Sequence, residues 1–160
     1  QLTGETQRVR GIEVGVTGSI TKAWTIQFGY AYLDSEILSN PASTTAAENE
    51  FRGNEVAFVS RNSLGLWTRY DVADWFGLRG DLLLGGGILY ADRYFVNSQN
   101  TSIVPSKFSL DAMISYEING WRYAVNGYNL THGLNYDAGF GNRALPSPGT
   151  TVLATIGKKF

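Results

Sequence analysis

Cysteine is absent from all 160 residues, so neither a disulfide scaffold nor a thiolate metal site can form. Histidine occurs once, at His132, which leaves imidazole chemistry a single candidate. Acidic and basic residues nearly cancel at a net charge of −1, so nothing electrostatic points to nucleic acid. No run approaches the ~18 consecutive apolar residues of a membrane-spanning helix. The opening residues do not read as a signal peptide. The length suits one domain with its own core.

What the chain has instead is glycine, 19 residues of it, together with 13% aromatics and few lysines. Glycine, aromatics and short apolar alternation together suit a β-barrel, and do not exclude a soluble sandwich. Periodicity is the stronger signal. From Trp24, one side of a two-residue alternation carries Trp24, Ile26, Phe28, Tyr30 and Tyr32, and the other Thr25, Gln27, Gly29 and Ala31. Between 107 and 118, Phe108, Leu110, Ala112, Ile114, Tyr116 and Ile118 oppose Lys107, Ser109, Asp111, Met113, Ser115 and Glu117. Ile12, Val14, Val16 and Ile20 oppose Glu13, Gly15, Thr17 and Ser19 in the same way. From Phe76, the apolar set Phe76, Leu78, Leu82, Leu84, Ile88 and Tyr90 opposes Arg79, Asp81, Leu83, Gly85 and Gly87. A helix would scatter these residues around its circumference, whereas a strand separates them onto two faces.

About seven strands follow, near 8–20, 23–34, 59–71, 75–91, 106–118, 121–130 and 150–160. Runs of ten residues or more are long for a soluble sheet and right for a tilted membrane strand. The apolar face, with Ile26, Leu110 and Ile114, would meet lipid. Gln27, Asp111, Ser115 and Glu117 would face a wet lumen. Thr21-Lys22, Ala73-Asp74 and Asn119-Gly120 read as tight turns. Long connections run from Ser35 to Phe58, Asp92 to Pro105 and Thr131 to Pro148. Short turns at one rim and long loops at the other match an outer-membrane barrel, with short turns periplasmic. Phe160 ends the last strand, a position that suits the aromatic girdle of such a barrel. An odd count with the last strand descending to the periplasm reads as the C-terminal part of a larger barrel.

An ordered set of motifs carries a family resemblance. Gly4-Glu5 with Arg10-Gly11-Ile12-Glu13-Val14 resembles the GE…RGxE strand of TonB-dependent receptors. Gly29-Tyr30-Ala31-Tyr32-Leu33-Asp34 resembles their GYxYxDA segment, with Ser35 in place of the final Ala. Arg61 to Tyr70 is similar to xHSxxLWxxY, and Leu84 to Tyr94 resembles LGxGxxYxGxR. Val104-Pro105 through Tyr116 resembles LPxYxxxDAxxxY, while Asn126, Asn129 and Leu130 fit NVxNL. Pro148-Gly149 through Phe160 fits the closing PGxPR…F segment, although Thr150-Thr151 replaces the Pro-Arg pair and Lys158 replaces an aromatic. Order and spacing hold over nearly the whole chain, and the set resembles the ferric-siderophore branch most closely.

The resemblance implies the C-terminal portion, residues 1–160, of a barrel of about 22 strands in the bacterial outer membrane. It implies a receptor that binds a ferric siderophore or related chelate and imports it with energy from the TonB complex. No plug and no TonB box are recognisable in these residues, so the TonB complex would act through a missing N-terminal region. Outer-membrane lipid would be a second partner, and no resident cofactor is implied, since iron would travel inside the siderophore.

Catalytic chemistry has no constellation here: no base, nucleophile and oxyanion site fall together. His132 lies in an outer loop and reads as a solvated loop residue. Glu13, Asp81, Asp111, Glu117, Arg79 and Arg122 fall on the inward face and read as a lumen network of hydrogen bonds and ion pairs. Gly85-Gly86-Gly87 sits inside a strand with no following helix, so close packing at the wall is expected rather than a phosphate loop. Ligand binding would fall to Tyr94 and Phe95 in one loop and Tyr136, Phe140 and Arg143 in another. Aromatic and cationic groups suit an anionic, aromatic or hydroxamate chelate. The same aromatics would equally serve to pack the loops against each other. A small self-contained outer-membrane barrel, structural or ligand-binding, and a soluble β enzyme are the competing readings.

Overall fold

The computed structural model describes residues 4–39, 50–140 and 143–159. Phe160, and the reading of a terminal girdle aromatic, lies outside them. Eleven strands occur among the described residues, in chain order. β1 is Thr6–Ser19, β2 Trp24–Ser39, β3 Asn62–Asp71, β4 Asp81–Ala91, β5 Tyr94–Phe95 and β6 Ile103–Val104. β7 is Lys107–Ile118, β8 Trp121–Tyr128, β9 Tyr136–Phe140, β10 Arg143–Pro146 and β11 Thr151–Lys158. Seven of them form one antiparallel sheet in the order β1-β2-β3-β4-β7-β8-β11, as the alternation predicts. The other four form two small hairpins, β5–β6 and β9–β10, carried in the long connections.

Register puts residues of one face opposite residues of the same face. Val16, Phe28, Leu66, Ile88 and Leu110 form one continuous apolar row across β1, β2, β3, β4 and β7. Thr17, Gln27, Trp67, Gly87 and Asp111 form the neighbouring row on the inner face. Aromatics bound the apolar face at both ends. Tyr30, Tyr90 and Phe108 lie toward the long loops, and Trp24, Tyr70, Tyr116, Trp121 and Tyr123 toward the short turns. Trp24 and Tyr32 are separated by about 26 Å of strand at ~3.3 Å per residue, on the order of the ~25 Å apolar band of membrane barrels.

Polar groups on this face find partners. Trp24 Nε1–H donates to Thr68 Oγ1 at 2.7 Å, and the Thr68 hydroxyl donates to the Thr25 carbonyl at 3.3 Å. The phenols of the girdle point to the rims: Tyr30 to Asn62 Oδ1, Tyr90 to Asp92 Oδ1 and Tyr116 to the Arg79 carbonyl. An unpaired hydroxyl in hydrocarbon costs several kcal/mol, so this satisfaction is a condition of the site. Buried apolar residues lie mainly at the rims, with Ala124 of β8 buried in the wall. Ile37, Val56, Val96 and Val104 are buried at the loop end, and Val72 and Ala73 at the turn end.

Glycines let a large ring lie on the inner face. A Cβ on Gly85 would come within 2.6 Å of Met113 Cγ and 3.3 Å of the Trp67 ring, and one on Gly87 would strike Trp67 as well. The expected wall packing of Gly85 and Gly87 is therefore the observed one. Asn119 and Gly120 both have positive φ, 50° and 76°, the signature of a two-residue type I′ hairpin between β7 and β8.

Three local expectations are corrected. The strand expected from residue 75 begins only at Asp81, so Phe76, Leu78 and Arg79 are on no strand. Ala73–Phe76 instead forms one turn of 3-10 helix, opened by Asp71 Oδ1 accepting from the Ala73 N–H at 3.1 Å. It is closed by left-handed Gly77, and Gly80 at φ 95° then redirects the chain; alternation in residues 76–79 was coincidental. β2 runs to Ser39 rather than 34, because Thr6 to Arg10 on β1 supply partners for Asp34 to Ser39. Ser115 is only 3% exposed, flanked in register by Leu83 and Ala124, so that inner position is not wet.

Two outcomes follow from the wall. Phe28→Arg, midway between Trp24 and Tyr32, should cost about 2–4 kcal/mol in a bilayer folding titration, as for a cation placed near a membrane midplane. Its neighbour Gln27→Arg, exposed on the inner face, should cost far less; equal losses would overturn the face assignment. β1 and β11 are the edges of an open sheet, with backbone groups that lipid cannot satisfy. The 160-residue chain by itself should therefore oligomerise or aggregate in detergent. A monomeric, heat-resistant band on a detergent gel would contradict this.

Candidate functional site at the loop end

Two hairpins and one loop build the mouth above the sheet. β5 pairs with β6 as Tyr94 with Val104 and Phe95 with Ile103. Their connection is tied by Asn97, whose Oδ1 accepts from the Thr101 N–H at 3.0 Å while its amide donates to Thr101 Oγ1 at 2.8 Å. Asn100, left-handed at φ 56°, reaches across to the segment before β3. Its Oδ1 accepts from the Glu55 N–H at 2.8 Å and its amide donates to the Glu55 carbonyl at 2.9 Å. The Phe58 N–H donates to the Phe95 carbonyl at 2.7 Å, completing the dock.

β9 and β10 are rooted from below by asparagines. Asn135 brackets Phe108 at the start of β7, donating to its carbonyl at 2.6 Å and accepting from its N–H at 2.9 Å. Asn129 is buried and left-handed, a conformation Asn tolerates better than most residues. Its amide donates to the carbonyls of Gly133 and Pro148, its Oδ1 accepts from the Gly133 N–H, and its own N–H donates to Asp111 Oδ1. Lys107 Nζ donates to Asp137 Oδ1 at 2.7 Å, and the Ser147 hydroxyl donates to the same oxygen at 2.6 Å. The two hairpins then stack. A Cβ on Gly139 of β9 would come within 2.7 Å of Val104 on β6 and would strike Val96 beside β5, so only glycine allows this approach.

The five loop residues proposed from sequence divide by environment. Tyr94 lies against Phe58 with ring centroids 6.0 Å apart, and Phe95 lies under the Arg93 guanidinium at 4.6 Å. Both are half-buried and hold the β5–β6 hairpin together. Tyr136 is half-buried at the base of β9, paired with Pro146. Phe140 is 87% exposed at the far end of β9, directly opposite Arg143 on β10. Tyr136, Phe140 and Arg143 thus lie in a hairpin, not in the irregular loop expected there, because Ala138, Gly139, Ala144 and Leu145 supply a second short ladder.

Several expected roles are redistributed. Among the described residues, Glu13, Asp81, Glu117, Arg79 and Arg122 make no ion pair. Instead Asp111 takes hydrogen bonds from the Ser109 hydroxyl and the Asn129 N–H. Ion pairs form at the loop end, as Arg8–Glu36, Arg61–Glu55, Arg93–Glu55 and Lys107–Asp137. On the inner wall Glu117 faces Asp81 on one side and Arg122 on the other in register. His132 is a turn residue at φ 54°, its Nδ1 3.2 Å from Thr150 Oγ1.

Sequence reading missed three groups: the asparagine roots, a cavity of about 220 Å³ among Glu55, Arg61, Asp92 and Arg93, and one of about 300 Å³ beneath β9–β10. Asn129, Arg61 and Arg93 each sat inside a recognised motif, which was the available signal. Two carboxyls outside the wall are held below the usual carboxylate range. Asp92 is lowered by the Tyr90 hydroxyl and then by the Asn62 amide, and Asp137 by Lys107 and then by Ser147.

A family model described as "TonB dependent receptor-like, beta-barrel" matches residues 1–130. The chain belongs to this family. It is 35% identical over 116 residues to the probable TonB-dependent siderophore receptor PiuA of Acinetobacter baumannii, a match covering 70% of this chain and 15% of PiuA. The crystal structure of PiuA superposes with a TM-score of 0.84 at 30% identity, over 95% of this chain and 22% of PiuA. The probable TonB-dependent receptor BfrD of Bordetella pertussis is 28% identical over 93% of this chain and 20% of its own length. The E. coli ferric-catecholate import receptor Fiu shares the fold alone, with a TM-score of 0.73 at 23% identity, over 95% of this chain and 21% of Fiu. The chain therefore spans about a fifth of PiuA and BfrD. In this family member the seven-stranded sheet is barrel wall.

The roots of β9–β10 give two measurable expectations. Asn129→Ala would leave the Gly133 and Pro148 backbone groups without their side-chain partner, at a cost of about 1–3 kcal/mol. Amide exchange in 131–148 should accelerate while the sheet stays protected. A carboxyl lowered by folding lends stability that is complete above the unfolded pKa and lost as pH falls through the folded one. Hairpin protection should therefore hold from neutrality to about pH 4 and fall below it. Asp137→Asn should weaken the hairpin at neutral pH and flatten this acid dependence.

Proposed function

We propose that this chain forms wall and mouth of a bacterial outer-membrane receptor that imports a ferric siderophore. Energy for import comes from the TonB complex, and iron enters as cargo inside the chelate. The single observation carrying the reading is the β9–β10 hairpin. It is rooted by Asn129, Asn135 and the Lys107–Asp137 pair, yet it presents Phe140 and Arg143 side by side to water. A large apolar ring is costly to leave in water without a partner, and a planar cation beside it matches anionic aromatic groups. PiuA is a probable siderophore receptor and Fiu a catecholate siderophore receptor by name, which supports this ligand class. Outer-membrane lipid is the solvent of the apolar band, and no reaction chemistry is assigned. The division of labour is physical: a rigid sheet sets position, and a glycine-bearing hairpin supplies contact.

The test uses the intact receptor and two ferric chelates, one anionic and one neutral, titrated at matched salt. Phe140→Ala should weaken both by about tenfold, the range of an aromatic anchor. Tyr136→Ala, half-buried in the same hairpin, should weaken both chelates less than Phe140→Ala does. Arg143→Ala should weaken the anionic chelate more than the neutral one. None should unfold the wall, because β9 and β10 lie outside the seven-stranded sheet. Unchanged affinity for both chelates across all three variants would remove the hairpin from ligand binding.

A further inference from the structure

The geometry points to a membrane-interface foot at residues 72–79, a turn segment that seats Trp75, Phe76 and Leu78 in the headgroup layer of the leaflet beside the short turns. The proposal rests on the membrane reading above and assigns lipid as the occupant. Loop residues at a wet rim are ordinarily polar. Here Trp75 is 69% exposed and Phe76 64% exposed, with Leu78 exposed beside them.

The segment does not project away from the barrel. Trp75 N–H donates to the Val72 carbonyl at 3.0 Å and Leu78 N–H to the Ala73 carbonyl at 3.1 Å, which fold the turn back over Val72 and Ala73. Both of those residues are buried. The Trp75 ring lies 5.0 Å from Tyr70, and Tyr70 lies 6.4 Å from Trp24. Tyr70 and Trp24 are opposed in register on the apolar face. The aromatic girdle therefore continues without a break from the strands into the turn. At its other end, Tyr116, also on the apolar face, donates its hydroxyl to the Arg79 carbonyl at 2.6 Å.

Pinned at both ends to lipid-facing tyrosines, the turn holds the Trp75 ring against the apolar face, with Phe76 and Leu78 exposed beside it. Trp and Phe with Leu on one short segment is the composition of an interfacial element, whose rings favour the boundary between headgroups and acyl chains. Asp74 and Gly77 supply the turn and leave the three apolar residues clustered. The Tyr70–Trp75 contact ties the turn to the apolar face.

The experiment places an environment-sensitive fluorophore on the full-length receptor in vesicles of phosphatidylethanolamine and phosphatidylglycerol, in a background without other cysteines. Labels at Phe76→Cys, Lys22→Cys and Ile114→Cys report the foot, another short turn and the lipid face. The label at 76 should be quenched by lipid carrying a nitroxide near the headgroup and should resist aqueous iodide several-fold better than the label at 22. Trp75→Ala should return iodide access to position 76. Leu78→Cys repeats the measurement if Phe76→Cys does not give the heat-shifted band of a folded barrel. Iodide quenching at 76 equal to that at 22, with lipid quenching retained at 114, would overturn the foot and leave the membrane reading standing. Iodide quenching at both 76 and 114 would overturn both. Shielding of 76 from iodide and lipid alike would mean a protein cover, and would also overturn the proposal.

Discussion

Backbone hydrogen bonding in a medium without water is the constraint on which the rest depends. A strand in hydrocarbon has to pair along both sides, so the chain must return antiparallel, again and again, with every N–H and C=O matched. The continuous ladders from β1 to β11 meet that condition in the interior of the sheet and leave it open only at its two edges. Length follows from the same cause. Strands of 14 and 16 residues cross the apolar band and continue beyond it, where β1 and β2 carry the Arg8–Glu36 pair.

Once the backbone is satisfied, side chains sort by solvent rather than by core packing. The outer face carries aliphatic residues between two aromatic belts, and the polar atoms of Trp24, Tyr30, Thr68, Tyr90 and Tyr116 on it bond to neighbours or to the rims. The inner face mixes small residues with Gln27, Arg69 and Asp111, and lets Trp67 lie flat where Gly85 and Gly87 remove side chains. Close packing of the soluble kind is concentrated at the rims, where loops must be held without lipid, and reaches the wall at Ser115 and Ala124. Val96 and Val104 beneath the stacked hairpins and Val72 beneath the short turn are the examples.

The mouth is built on a different economy. Its hairpins are short ladders held by asparagine side chains, whose amides satisfy loop backbone from both sides at once. Asn100, Asn129 and Asn135 each replace several strand hydrogen bonds. Such a scaffold leaves the exposed tip, Phe140 and Arg143, free to vary in chemistry while its base stays fixed. This is the usual arrangement of recognition loops on a rigid frame.

Residue order alone determined the sheet. Period-two alternation in a helix-poor, cysteine-free chain specified strands, faces, apolar band and antiparallel order, because a one-residue slip would invert every side chain. Asn119-Gly120 likewise specified its hairpin, since few other pairs accept two positive φ angles. Tertiary structure decided what alternation cannot encode. Residues 76–79 alternate like a strand, yet Asp71, Gly77 and Gly80 turn them into a folded-back segment through local hydrogen bonds and backbone sign. Ser115 sits on the inner face by parity but is buried, because burial depends on which residues the adjacent strands place beside it, here Leu83 and Ala124. The mouth was legible as aromatic loops and illegible as hairpins. Its ladder is short, and the contacts that fix it, Asn135 on Phe108 and Gly139 on Val104, join residues about thirty positions apart in the chain.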